Sequence, residues 1–326
     1  MGNLAERIGK RIKMTMKSFQ SDIQFSLYYA FLRLGAELGG RIGFHKLSQY
    51  CGSRKEVWIT DYLAKTLNPI VEKYEADCDN GILQEKAPVW VCWWSGEDTA
   101  PPLVKQCIRS IRENAGGHPV HLITRENYSQ YLQIPACMLE NVEKKTMGFA
   151  HLADYIRVTL LAQYGGLWLD ATMFCAGPVP ESCFQSPFFT CKGPVQPGAY
   201  LSNYRWVTFC LGGWKENVLF RFLRDAFVCY WEKNTHAVDY LFFDHIILLG
   251  YEAVPAIRKL IDEVPDNNIR RDDLQAAMNG ALPAGEWNNI VQSDTTLYKL
   301  SWRETYSAVT PEGEESIYGY FLRGDS

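Results

Sequence analysis

From residue 88 onward, short apolar runs alternate with helical stripes. "PVWVCWW" is wholly apolar and rich in Val and Trp, the pattern of a strand covered on both faces. "SGEDTA" follows as a loop. "PPLVKQCIRSIRENAGG" then places Leu103, Val104, Cys107, Ile108 and Ile111 on one helical stripe, with prolines in its first turn and Gly116 and Gly117 at its end. "PVHLIT" reads as the next strand. The three segments predict a βαβ unit with a parallel strand pair and a right-handed crossover.

Farther along, "WVTFCLGG" reads as a strand. "ENVLFRFLRDAFVCYWEKN" predicts a helix with Leu219, Phe222, Leu223, Ala226, Phe227 and Tyr230 on one side. "AVDYLFFDHIILLGYE" predicts a second apolar helix, "AVPAIRKLIDEVPDN" a surface-lying third, and "TTLYKLSW" a strand. There is no internal repeat or low-complexity tract. The pattern predicts an α/β fold, a mixed sheet with flanking helices, preceded by a helical extension. Residues 1–55 are assigned to that basic, amphipathic extension and residues 56–326 to the main domain.

One segment combines apolar character with charge: "HLADYIRVTLLAQYGGLWLDATM", residues 151–173. On a helix, Leu152, Tyr155, Ile156, Thr159 and Leu160 share one face. Asp154 and Arg157 lie about 60° apart on the other, beside Val158 and Leu161. Both faces are therefore apolar, and neither charge is placed to be solvated, so each needs a partner. An i,i+3 ion pair and a pair poised over a polar ligand both satisfy this. Gly165 and Gly166 end the helix and turn the chain. "LWL" is then a short strand with Asp170 at its carboxyl end, where ligands bind in open α/β sheets. If the extended conformation continues, Thr172 points the same way as Asp170.

Composition narrows the class. The chain has 326 residues, 47% apolar and 13% aromatic, which suits a globular protein with ample core. A net charge of -4 and the lack of a basic, aromatic-studded stripe argue against nucleic acid. The ten cysteines include no C-x-x-C pair, so free buried thiols in a reducing compartment are expected. The start lacks an uninterrupted apolar run, so it does not read as a signal peptide, and no run approaches a membrane span. It is basic: Arg7, Lys10, Arg11, Lys13 and Lys17 stand against Glu6 alone in the first 17 residues. Such a start suits peripheral, salt-sensitive attachment to the cytoplasmic face of an anionic membrane, or a helical cap on the domain.

The ordered combination of "VWVCWWSGEDTAPPLVKQCIRSI", "HLITRENYSQYLQIP" and "HLADYIRVTLLAQYGGLWLDATMF" resembles DXD-motif glycosyltransferases of the α-mannosyltransferase type. It resembles the bacterial capsular polysaccharide synthesis proteins more closely. The resemblance runs from about residue 88 to 180, with weaker support near residues 222–248 and 297–302. It implies a GT-A-like fold, a nucleotide-sugar donor, a glycan or lipid-linked oligosaccharide acceptor and a retaining outcome. Carried over by position, Trp93, Trp94 and Ser95 would floor the nucleotide site. Asp154 and Arg157 would match a donor-contacting S-D-x-x-R helix, with Ala153 in place of the small hydroxyl residue. Gly165 and Gly166 would match the G-G turn. Asp170 would match the first Asp of the DXD. Thr172 replaces the second, as in the D-A-T of the capsular subgroup.

A divalent cation, Mn²⁺ or Mg²⁺, is the implied cofactor, held by Asp170 and Thr172. One carboxylate and one hydroxyl bind it more weakly than two carboxylates, so Arg157 or Lys299 is a rival source of positive charge. Asp244 and His245, within "LFFDHIILL", are the candidates for a second acid–base group, with a local cap or pair as the alternative. Two other functions fit the residues less well. One is a catalytically silent nucleotide-sugar binder or scaffold of a glycan-assembly complex, and the other is a phosphotransferase with Asp170 as nucleophile.

Overall fold

The computed structural model describes residues 15, 18–198, 200–282, 290 and 292–323. Two antiparallel helices, α1 (Leu27–Arg41) and α2 (His45–Thr66), precede the short α3 (Asn68–Tyr74). The βαβ unit follows as β1 (Val89–Cys92), α4 (Pro102–Asn114) and β2 (Val120–Ile123). Its strands are parallel, with Val89 opposite Val120 and Cys92 opposite Ile123. Next come α5 (Ala136–Glu143), α6 (Phe149–Tyr164) and β3 (Gly166–Leu169), which lies parallel to β1. The chain continues through β4 (Met173–Cys175), α7 (Ser182–Gln185), β5 (Phe188–Thr190) and β6 (Cys210–Gly213). Beyond these are α8 (Val218–Trp231), α9 (Phe242–Ala253), α10 (Pro255–Asp262), α11 (Asp273–Ala277), β7 (Leu297–Lys299) and α12 (Ile317–Arg323).

The main sheet is mixed, in the order β2-β1-β3-β6-β5, with β6 antiparallel to both neighbours. Its central strands are apolar on both faces because both faces are covered. Trp90 and Trp168 enter a core shared with α6, α8, α9 and α10. Val89, Val91, Leu167 and Leu169 alternate to the opposite core, against Val104, Ile108 and Ile111 of α4. β4 and β7 form a separate antiparallel pair that sets Met173 opposite Lys299.

The two glycines between α6 and β3 have a steric cause. Gly165 and Gly166 hold φ of 67° and 96°, where a side chain is strained. A Cβ on Gly166 would lie 2.0 Å from the Pro88 carbonyl oxygen. Leu167 N–H donates to that same oxygen at 2.9 Å. Only glycine lets the chain turn out of α6 this close to the entry of β1.

Three expectations need adjustment. Only Cys210–Gly213 of "WVTFCLGG" is a strand. The helix in "AVDYLFFDHIILLGYE" begins at Phe242, because the Asp239 carboxylate accepts from Leu241 N–H at 2.9 Å in the preceding turn. The boundary at residue 55 falls inside α2, and Tyr29, Ile59 and Leu63 share a core with α8 and α9. The basic residues from Arg7 to Lys17 lie outside the described residues. Among the described residues no helix is long and apolar enough to cross a membrane. All ten cysteines are free, and six of them are buried.

Candidate active site

The carboxyl ends of β1, β2 and β3 open into a cavity of about 1020 Å³. Its walls come from five segments: Cys92–Gly96 after β1, Thr124–Glu126 after β2, the amino-terminal turns of α6, Asp170–Thr172 after β3, and Lys299–Arg303 at the end of β7. Tyr240 adds a rim residue.

Asp170 is held from behind. Its Oδ1 accepts from Arg157 Nη2 at 3.0 Å and from Trp168 Nε1 at 3.0 Å. Arg157 also donates from Nη1 to Asp154 Oδ1 at 2.9 Å. The guanidinium lies between the Trp168 and Phe243 rings, 4.9 and 5.2 Å from their centroids, and its side chain is only 6% exposed. The i,i+3 pair and the ligand-poised pair are thus one network. Asp154 orients Arg157, and Arg157 and Trp168 fix Asp170. Neither Asp154 nor Arg157 lines the cavity; of this network, Asp170 and the Trp168 ring do.

The other carboxylate oxygen, Oδ2, lies 3.8 Å from Lys299 Nζ. Lys299 donates to the Thr172 hydroxyl and to the Leu300 carbonyl at 3.2 Å. Thr172 does not reach the site by strand alternation. The chain turns at Ala171 and Thr172, and the pairing of Met173 with Lys299 draws them together. For a divalent cation this donor set is sparse. It offers one carboxylate oxygen and one hydroxyl that already receives a hydrogen bond from an ammonium group. Among the described residues no group of three or more His, Cys, Asp or Glu is placed to hold a metal.

Trp93 and Trp94 both line the cavity. They pack on opposite cores, Trp94 on the one and Trp93 on the other. Trp94 lies against Tyr128 and Phe149, and Trp93 meets Trp302 edge to face at 6.1 Å. The Trp93 indole N–H is buried and has no partner. Ser95 also lines the cavity, its hydroxyl 2.6 Å from that of Thr99.

The remaining candidates sit elsewhere. Gly165 and Gly166 lie at the amino end of β3, the opposite end from Asp170, so they shape the backbone and do not meet the cavity. Asp244 is behind the site and accepts from Trp206 Nε1 at 3.0 Å. Burial pushes its carboxyl up to about 6; the Asp154 charge adds to the rise, while Trp206 and Arg157 oppose it. His245 is one residue farther around α9 and faces α2, with Nε2 3.4 Å from Glu56 Oε2. Burial lowers its pKa. A helical rotation of about 100° per residue therefore separates Asp244 and His245 into different surroundings.

Sequence reasoning overlooked Arg125 and Glu126, which follow β2, and Trp302 and Arg303, which follow β7. The strand-end rule that singled out Asp170 applies equally to "TRE" after "HLI". Nothing local marks Trp302 and Arg303, because β7 reaches the site only by pairing with β4, more than 120 residues earlier.

A family model described as capsular polysaccharide synthesis protein matches residues 41–321. The chain belongs to that family. The match takes in every cavity-lining segment and begins at the last residue of α1. Among curated proteins, an O-glycosyltransferase of Annulohypoxylon truncatum is 33% identical over 106 residues. That alignment covers 29% of this chain and 25% of the relative, so the chain spans about a quarter of the curated relative it matches. Among solved structures, the PaToxG glycosyltransferase is similar at a TM-score of 0.35 and 16% identity, over 63% of this chain and 86% of that one. A likeness that slight carries no argument.

Proposed function

We propose that the protein is a GT-A-like glycosyltransferase that binds a nucleotide-sugar beyond the carboxyl ends of β1–β3 and transfers its sugar to a growing glycan. The observation that carries this reading is the Asp170 carboxylate. Arg157 and Trp168 hold one oxygen, and the other is turned toward Lys299 in a cavity of about 1020 Å³. The family membership and the name of the curated relative support it.

Transfer breaks the bond from the anomeric carbon to the diphosphate, whose oxygen keeps the electron pair. The acceptor hydroxyl oxygen bonds to that carbon and passes its proton to the departing diphosphate oxygen. Positive charge develops on the sugar and negative charge on the leaving group. Asp170 Oδ2 supplies fixed negative charge for the first, and Lys299 positive charge for the second. Lys299 thereby stands in for a divalent cation. Trp93, Trp94 and Trp302 offer ring faces for a base or sugar, and Arg125 and Arg303 further charge for phosphate oxygens. A hexose donor, retention at the anomeric carbon and a lipid-linked acceptor extend the proposal along the family resemblance.

The test is donor turnover and donor binding measured on the same preparations with a panel of nucleotide-sugars. Asp170→Asn should retain the fold and lose about 10²-fold or more in transfer. Lys299→Gln should weaken nucleoside diphosphate binding by roughly tenfold, as for loss of a charge-assisted hydrogen bond. EDTA should leave transfer unchanged. Loss with EDTA and recovery with Mn²⁺ would remove Lys299 from that role. Donor binding without turnover of any donor would favour the silent binder.

A further inference from the structure

The α1–α2 hairpin is apolar on the side it turns away from the protein. Tyr29, Ala30, Leu32 and Gly39 of α1 face inward. Leu27, Phe31, Leu38 and Ile42 recur at helical spacing on the opposite side and are 59%, 60%, 41% and 65% exposed. Around the turn, Phe44, Leu47 and Tyr50 are exposed as well. Soluble surfaces scatter such residues singly; here they run along the outer side of α1, where Phe19 packs on Phe31, and continue around the turn into α2.

We propose that this hairpin is a monotopic membrane-docking element whose tip, Ile42–Leu47, enters the headgroup region of an anionic bilayer. Three observations select a bilayer. The stretch 38–54 contains Arg41, Lys46 and Arg54 and no Asp or Glu, which complements anionic headgroups; Glu37 lies 3.6 Å from Arg41 at its edge. Exposed Tyr50 borders the apolar tip, as an amphipathic ring does at a membrane interface. The two helices of the hairpin also pack closely on each other. A Cβ on Gly35 would lie 2.7 Å from Cys51 Sγ, and one on Gly39 would lie 3.0 Å from Ser48 N. The helices therefore meet through glycine and small side chains, and the Ser48 hydroxyl donates across to the Ala36 carbonyl at 2.7 Å.

The hairpin is joined directly to the cavity rim. Lys55 Nζ lies 3.1 Å from Asp239 Oδ2, and the Tyr29 hydroxyl donates to the Val238 carbonyl. The next residue, Tyr240, lines the cavity and is 73% exposed. Docking by the hairpin brings a membrane-borne substrate within reach of that rim. The inference goes beyond the transferase reading and does not depend on it, because vesicle binding needs no donor.

The experiment is co-sedimentation of the full chain with phosphatidylglycerol/phosphatidylcholine vesicles and with phosphatidylcholine alone, at low and high salt. The parent should prefer anionic vesicles and keep part of its binding at high salt, where screening removes purely electrostatic attachment. Ile42→Ser/Phe44→Ser/Leu47→Ser should reduce partitioning by about tenfold or more at both salts. Phe44→Leu should retain it. Replacing Arg7, Lys10, Arg11, Lys13 and Lys17 by Gln should leave the high-salt fraction in place. Near-ultraviolet circular dichroism checks the fold; if the triple variant melts early, Phe44→Ser alone carries the comparison. Equal partitioning of variant and parent overturns the proposal. So does a parent that binds no vesicle but is a dimer made monomeric by the substitutions, which would show that a second copy covers the face.

Discussion

Replacing Arg157 with Leu tests whether the buried network holds Asp170. The guanidinium is almost enclosed, bonds to two carboxylates at 2.9 and 3.0 Å, and is sandwiched by two rings. Leu fills part of that slot and leaves Asp154 and Asp170 without their main counter-charge. Breaking one partner out of a buried pair costs ~3–5 kcal/mol. The loss here should fall near the lower end, about 3 kcal/mol, because the carboxylates keep some solvent: their side chains are 14% and 30% exposed. Asp170 also keeps Trp168 Nε1 at 3.0 Å and Lys299 Nζ at 3.8 Å. Urea unfolding with an unchanged slope gives the loss. The double-mutant cycle with Asp154→Asn separates an orphaned carboxylate from lost packing. Once Arg157 is gone, neutralising Asp154 should recover part of the loss, with a coupling of roughly 1–3 kcal/mol. A loss under about 1 kcal/mol, with coupling under about 0.5, would refute the claim that this pair is buried and structural. Any folded Arg157→Leu protein should bind donor more weakly through a displaced Asp170, not through a missing contact.

Gly166→Ala should lower stability by several kcal/mol or prevent folding. Its Cβ meets the Pro88 carbonyl oxygen at 2.0 Å at a φ of 96°, and thermal unfolding beside Gly43→Ala, whose Cβ meets nothing, checks that the effect is local crowding. Asp244 gives a pH signature. Its proton is held more tightly in the folded chain, so its contribution to stability is fully present at low pH and is lost as pH rises from the ordinary carboxylate range through about 6. The fall is at most on the order of 3 kcal/mol and is flat above that window. Asp244→Asn, which still accepts from Trp206, should abolish that slope; an identical stability–pH profile in both proteins would contradict the assignment.

Periodicity settled the local elements. Apolar strands at 89–92 and 166–169 could be buried on both faces only if helices covered both, and a helical stripe joined the first to the strand at 120–123, so the parallel βαβ unit and the placement of Asp170 at a strand end were legible without coordinates. The charge of α6 was legible too: Asp154 and Arg157 on an otherwise apolar helix had to find partners. What they partner was not, because the third member, Asp170, lies across the turn made by Gly165 and Gly166, and helical phase says nothing about that turn's direction. Asp244 and His245 looked like one motif and belong to opposite surroundings, since neighbouring residues on a buried helix face different elements. Lys299, Trp302 and Arg303 reach the cavity only through the β4–β7 pairing. Local propensity is carried by nearest neighbours along the chain, whereas a binding site is assembled by contacts whose sequence separation leaves no local trace. That is why the strand end bearing Asp170 could be read from the sequence, whereas Lys299 could be named as a source of positive charge but its place facing that carboxylate could not.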